Sequence, residues 1–138
     1  MSNIITQKIF KMKTTKKLGI WMDHTAAHIM ELNNNTIVST TIESLSLQGE
    51  KKNFGKDASL KYNTEQDQLS DYFKRLSAII LDFPEVIIFG PTNAKLELFN
   101  LLKVNNQFNN VKIQIETTDN LTKNQMHAFV KDHFKMAG

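Results

Sequence analysis

Asp23 and His24 stand side by side directly after an apolar stretch, Leu18-Gly19-Ile20-Trp21-Met22. A carboxylate at such a place can be the first ligand of a two-metal nuclease. That chemistry needs further carboxylates converging on the same spot, so that two cations sit about 4 Å apart. The later apolar stretch Val86-Ile87-Ile88-Phe89 offers none, and Glu65 and Asp67 could not complete the set alone. A tight turn is the preferred role for Asp23, because aspartate favours turns by bonding its own backbone. The four histidines, His24, His28, His127 and His133, show no HExxH spacing, and zinc would need them gathered by the fold with an added carboxylate. No Ser or Thr sits in a nucleophile-elbow pattern. With no cysteine in the chain, disulfides, thiolate catalysis and cysteine–zinc sites are excluded together. The sequence thus predicts no catalytic residue, no metal and no cofactor.

Anion binding is the chemistry the residue types favour more. In Gly90-Pro91-Thr92-x-x-Lys95 a buried strand feeds a helix. Free N–H groups at that helix start, with the Lys95 ammonium, could hold a phosphate. The competing role is structural: Thr92 caps the helix and Gly90-Pro91 makes the turn, since the loop is not a GxxxxGK[ST] cradle. Residues 1–22 carry Lys8, Lys11, Lys13, Lys16 and Lys17 and only one type of charge before Asp23. A second cluster, Lys51, Lys52, Lys56 and Lys61, is diluted by Glu50 and Asp57 and interleaved with Phe54 and Tyr62. Lysines with aromatics between them suit phosphates and unstacked bases; the alternative is a solvated loop and tail. The global charge is only +3, so distribution matters more than balance.

These residues need elements to place them. The 138 residues, 41% hydrophobic and 22% charged, fit one domain with one real core. No apolar run approaches the roughly 20 residues of a membrane span, and Ile4-Ile5 is cut short by Thr6-Gln7-Lys8, so no signal segment is expected and a cytoplasmic location is. Residues 1–16 read as a basic leader, with Met12 an alternative start, and 17–138 as the domain. Residues 18–22, 27–32 and 36–42 predict a three-strand meander with turns at 23–26 and 33–35. A long polar loop, 44–62, follows. Leu69, Tyr72, Phe73, Leu76, Ile79 and Ile80 mark one face of a helix starting near Asn63-Thr64 and stopped by Phe83-Pro84. Residues 85–89 predict a central strand. A helix after Pro91-Thr92 turns Ala94, Leu98, Leu101 and Leu102 inward. Val111 to Ile115 alternates as an edge-ward strand. Thr122 and Gln125 form a capping box for the last helix, with Leu121 and Met126 as a staple, and Phe129, Val130 and Phe134 continue its apolar side. The order β-β-β-α-β-α-β-α predicts an α/β fold: a ribonuclease-H-like mixed five-stranded sheet with helices packed on it.

Gly19-Ile20-Trp21-Met22-Asp23-His24, Phe89-Gly90-Pro91-x-x-Ala94-Lys95 and Thr118-Asp119-x-Leu121-Thr122-x-x-Gln125 resemble motifs of small bacterial proteins. Those proteins are related to the middle domain of the class-one release factors of eukaryotes and archaea, and of pelota. The resemblance covers about residues 17–134 and implies a component of the translation machinery, with the ribosome or ribosomal RNA as partner. Release factors carry a Gly-Gly-Gln tripeptide in the loop after the third strand. Here that loop reads Leu47-Gln48-Gly49-Glu50-Lys51-Lys52-Asn53-Phe54-Gly55. Gln48 precedes its glycine, so the flexible backbone on its N-terminal side is missing. Peptide release does not carry over.

The sequence therefore predicts a non-catalytic ribosome- or rRNA-associated factor of rescue or dormancy type. Contact residues would be Lys16, Lys17, Lys51, Lys52, Phe54, Lys56, Lys61, Thr92 and Lys95. Two alternatives stay open: a metal-dependent nuclease or phosphoesterase using Asp23, His24 and Lys95, and a protein-interaction domain forming a homodimer through an open sheet edge or the last helix.

Overall fold

A computed structural model describes residues 16–44 and 58–137, with side chains described for 16–44 and 66–135. The expected meander comprises β1 (Lys16–Met22), β2 (Ala26–Asn33) and β3 (Thr36–Glu43). It is antiparallel and unbroken in register from Lys16↔Asn33 to Met22↔Ala27, and from Ala26↔Glu43 to Asn33↔Thr36. Asn34 takes φ 64° in the two-residue β2–β3 turn, a conformation asparagine tolerates better than most residues. Then come α1 (Ala58–Ile80), β4 (Glu85–Gly90), α2 (Ala94–Lys103), a 3-10 turn (Asn106–Phe108), β5 (Lys112–Thr117) and α3 (Lys123–Ala137).

The sheet order is β3-β2-β1-β4-β5, with β4 parallel to both β1 and β5. The strand period of two divides β1 between two cores. Leu18, Ile20 and Met22 join Tyr72, Phe73, Leu76 and Ile80 of α1 and Ala94, Leu98 and Leu102 of α2 on one face. Trp21 faces the other way, with Met30, Ile87 and Phe89, against Met126, Val130 and Phe134 of α3. Burial on both sides explains why β4 reads as an uninterrupted apolar run. Each such buried Leu or Ile contributes about 1.5–3 kcal/mol of transfer free energy. No helix among the described residues is long and apolar enough to cross a membrane.

Two expectations need correcting. α1 begins at Ala58, five residues before the Asn63-Thr64 start, because its first turn and a half shows no apolar spacing to betray it. Leu101 is half exposed at 52%. The buried stripe of α2 runs Ala94, Lys95, Leu98, Leu102, so a lysine occupies one flank and Leu101 falls beyond the other.

Candidate functional site

Because β1, β4 and β5 are parallel, their carboxyl ends share one end of the sheet. Asp23-His24, Gly90-Pro91-Thr92 and Thr118-Asp119 follow these three strands directly. The crevice outside carboxyl strand ends is the usual place for ligands in α/β sheets. The second and third loops are tied together, Thr118 N donating to Gly90 O at 3.0 Å, and the first is tied to α1, Tyr72 Oη donating to Asp23 O at 2.8 Å.

Asp23 is a turn-former in the structure. Its Oδ1 accepts from Thr25 N at 2.8 Å, Thr25 Oγ1 at 2.9 Å and Ala26 N at 3.0 Å. Burial pushes its carboxyl pKa up, but these three bonds and the neighbouring His24 outweigh that and hold it below the usual carboxylate range. Burial, with the Asp23 charge, pushes the Tyr72 phenol far up, so Tyr72 remains a donor. His24 Nε2 meets both carboxylate oxygens of Glu97 at 3.1 Å, and both side chains are nearly half exposed. Tyr72 and Glu97 were not expected at this place. Both partners come from helices more than 40 residues away, and no local signal announces them. Among the described residues, no group of three or more His, Asp or Glu is placed to share a cation.

Lys95 corrects an expectation. It is only 2% exposed, and its Nζ donates to the Thr92 carbonyl in the turn before its own helix. The ammonium is folded into the protein and does not face a solvent-borne phosphate. Thr92 is also engaged, its Oγ1 accepting from Ala94 N at 3.2 Å; it binds the first turn while Asn93, at the cap position, makes no side-chain bond. Burial pushes the Lys95 ammonium pKa below its ordinary value. The unfolded chain then holds that proton more tightly than the native one. Stability rises with pH between the depressed native value and the unfolded value of about 10.4. Lys95→Met should remove this contribution. Urea midpoints taken from neutral pH to pH 10 should climb more for the wild type than for the variant, and parallel curves would contradict the buried charge.

The third motif behaves as a helix start. Thr122 N donates to Gln125 Oε1 at 2.9 Å, and Gln125 N donates to Thr122 Oγ1 at 3.1 Å. This is the reciprocal capping box, with Leu121 packed on the cluster that contains Met126. Asp119 is exposed, and its carbonyl accepts from Thr118 Oγ1. The other histidines bridge α3 to the sheet or β2 to β3. His127 pairs with Ser39 at 3.2 Å, His133 with Gln114 at 2.9 Å and His28 with Thr41 at 3.2 Å.

Among the described residues, the expected contacts fall at two ends of the sheet. Lys16 and Lys17 open β1, whereas Thr92 and Lys95 follow β4 at the other end of the sheet. Seven strand residues separate the two ends by about 20 Å. Lys17 is held by Glu85 Oε1 at 2.7 Å. Lys51, Lys52, Phe54 and Lys56 lie outside the described residues, as does the side chain of Lys61.

Nearly the whole chain matches part of a larger protein of known structure. Thermoplasma acidophilum Pelota matches 94% of the chain with a TM-score of 0.56 at 14% identity. The fold is Pelota-like. Archaeoglobus fulgidus Pelota matches 96% of the chain with the same TM-score of 0.56 at 11% identity. S. cerevisiae Dom34, described as a translation termination-like factor in RNA quality control that interacts with Hbs1, matches 99% with a TM-score of 0.50 at 11% identity. The Pelota-like chain spans 36%, 35% and 38% of these three proteins, little more than a third of each. No protein-family model and no curated protein matches its sequence.

Proposed function

We propose that the protein is a cytoplasmic, non-catalytic translation-related factor that associates with the ribosome, in rescue or dormancy, through ribosomal RNA. One observation carries this: the likeness to two Pelota proteins and to Dom34 runs through 94–99% of the chain. The site agrees with a binding role. Asp23 spends its carboxylate on its own turn, His24 is occupied by Glu97, and Lys95 is spent on a backbone carbonyl. In this mechanism the sheet and its helices are a rigid platform, and phosphate contacts from surface lysines hold it to the RNA without reading sequence. Lys16 and Lys17, with Lys51, Lys52, Phe54 and Lys56 of the segment between β3 and α1 and Lys61 near the start of α1, would supply the charge and one stacking surface.

Sedimentation of the purified chain with bacterial ribosomes through sucrose gradients tests this. The chain should travel with the ribosomal fractions at low salt and leave them at high salt, because counterion release makes phosphate binding steeply salt-dependent. A chain that stays at the top of the low-salt gradient defeats the reading.

A further inference from the structure

At the amino end of β1, opposite the three motif loops, the fold brings together lysines that the sequence keeps 114 residues apart. Lys17 leaves the first strand beside Lys131 and Lys135 of α3, and the three line a groove of about 420 Å³ together with Asn34, Asn35 and Phe134. Its apolar floor is closed, since Phe134 and Leu32 are each 7% exposed. The Lys17 ammonium is fixed, with Glu85 Oε1 at 2.7 Å and the Phe134 ring centre at 5.9 Å. The Glu85 carboxylate is shared with Lys112 at 3.6 Å. Its hydrogen bond from Lys17, working against partial burial, keeps it ionised.

Lys131 and Lys135 are different. Both are exposed, and among the described residues neither is in an ion pair. One helical turn apart, they repel each other by a few tenths of a kcal/mol. Lys135, in the last turn, answers the negative end of the helix dipole. Lys131 lies a turn further in, where that field has faded, and so has no such role. Asp132 on the rim offsets one charge and leaves the groove net positive. Asn34 and Asn35, exposed at the β2–β3 turn, add amide donors.

We propose that Lys17, Lys131 and Lys135, with Asn34 and Asn35, form a groove that binds the phosphate backbone of RNA. The inference deepens the translation-factor reading and rests on it for the choice of RNA. The groove is open, and among the described residues that line it the one aromatic ring, Phe134, is buried, so they offer the backbone, not stacked bases, as the recognised feature. It lies about 20 Å along the sheet from the loops that follow β1, β4 and β5.

The test compares the wild type with Lys131→Gln/Lys135→Gln and with a charge-matched control, Lys74→Gln/Lys103→Gln. Fluorescence anisotropy follows binding of a fluorescein-labelled single-stranded uridine oligonucleotide across a salt series. Loss of two phosphate contacts should weaken low-salt affinity on the order of tenfold and flatten the log–log salt slope by roughly one and a half units, with the control unchanged. Equal affinity in the groove variant, an equal loss in the control, or no binding by the wild type overturns the groove. The same variants in the ribosome gradient separate the two claims. A wild type absent from the ribosomal fractions defeats the translation-factor reading. A groove variant that sediments like a bound wild type defeats the groove alone.

Discussion

Gly90→Ala is expected to cost roughly 2–6 kcal/mol of folding free energy, a large share of the 5–15 kcal/mol that holds a domain together. Gly90 ends β4 at φ 149°, a conformation that side chains rarely adopt. Strain of that kind costs about 1–3 kcal/mol. A β-carbon there would also stand 2.3 Å from Met22 O and 3.3 Å from Met22 N. These are backbone atoms, and Met22 cannot retreat. It is paired with Ala27 across β1–β2, and the next residue is locked into the Asp23 turn by three bonds. Steric conflict adds about 1–3 kcal/mol to the strain. The glycine is therefore what lets the end of β4 lie against the end of β1, with Thr118 bonded to its carbonyl on the other side. Urea denaturation reads the effect as a lower midpoint at constant slope. An unfolding free energy within about 0.5 kcal/mol of the wild type would show that the two strand ends are not this close.

The sequence made the secondary structure legible wherever its signal was local. The meander followed from apolar and β-branched runs with Asp23 and Asn34 at the turns, the start of α3 from Thr122 and Gln125, and β4 from four apolar residues in a row. The mixed sheet followed from the order of those pieces. Side-chain fates set by tertiary packing were not legible. A lysine in a helix is by default a solvated charge, so nothing local warned that Lys95 would be 2% exposed and turned back on Thr92. Leu101, which belongs to an apolar face by spacing alone, lost its inward place to that same lysine. The Tyr72–Asp23 and His24–Glu97 contacts span 49 and 73 residues. The meeting of Lys17 with Lys131 and Lys135 required α3 to lie on the face of the sheet opposite α1 and α2. On that face β1 carries a glycine, and α3 packs directly against it.

The glycine is Gly19, and replacing it gives the second large effect. A β-carbon at Gly19 would come within 2.3 Å of Val130 Cγ2, 3.0 Å of Cγ1 and 3.2 Å of Cβ. Val130 is fully buried, and its branched side chain has essentially one rotamer in a helix, so it cannot swing aside. Gly19→Ala should cost about 1–3 kcal/mol by overpacking. Val130→Ala alone should cost about 2 kcal/mol, from two buried methyl groups at roughly 0.8 kcal/mol each plus a small cavity. The double variant removes two methyl groups from the helix and adds one on the strand. Only the valine β-carbon, at 3.2 Å, still crowds the site, and a few tenths of an ångström of helix movement relieve it. Its loss should therefore fall short of the sum of the single losses by about 1–3 kcal/mol, the size of coupling expected for residues in direct contact. Thermal or urea unfolding of the four proteins in this cycle measures that shortfall. Additive losses would mean that α3 does not rest on β1 through Val130, and the lysines that line the groove beside Lys17 would lose the contact that puts them there.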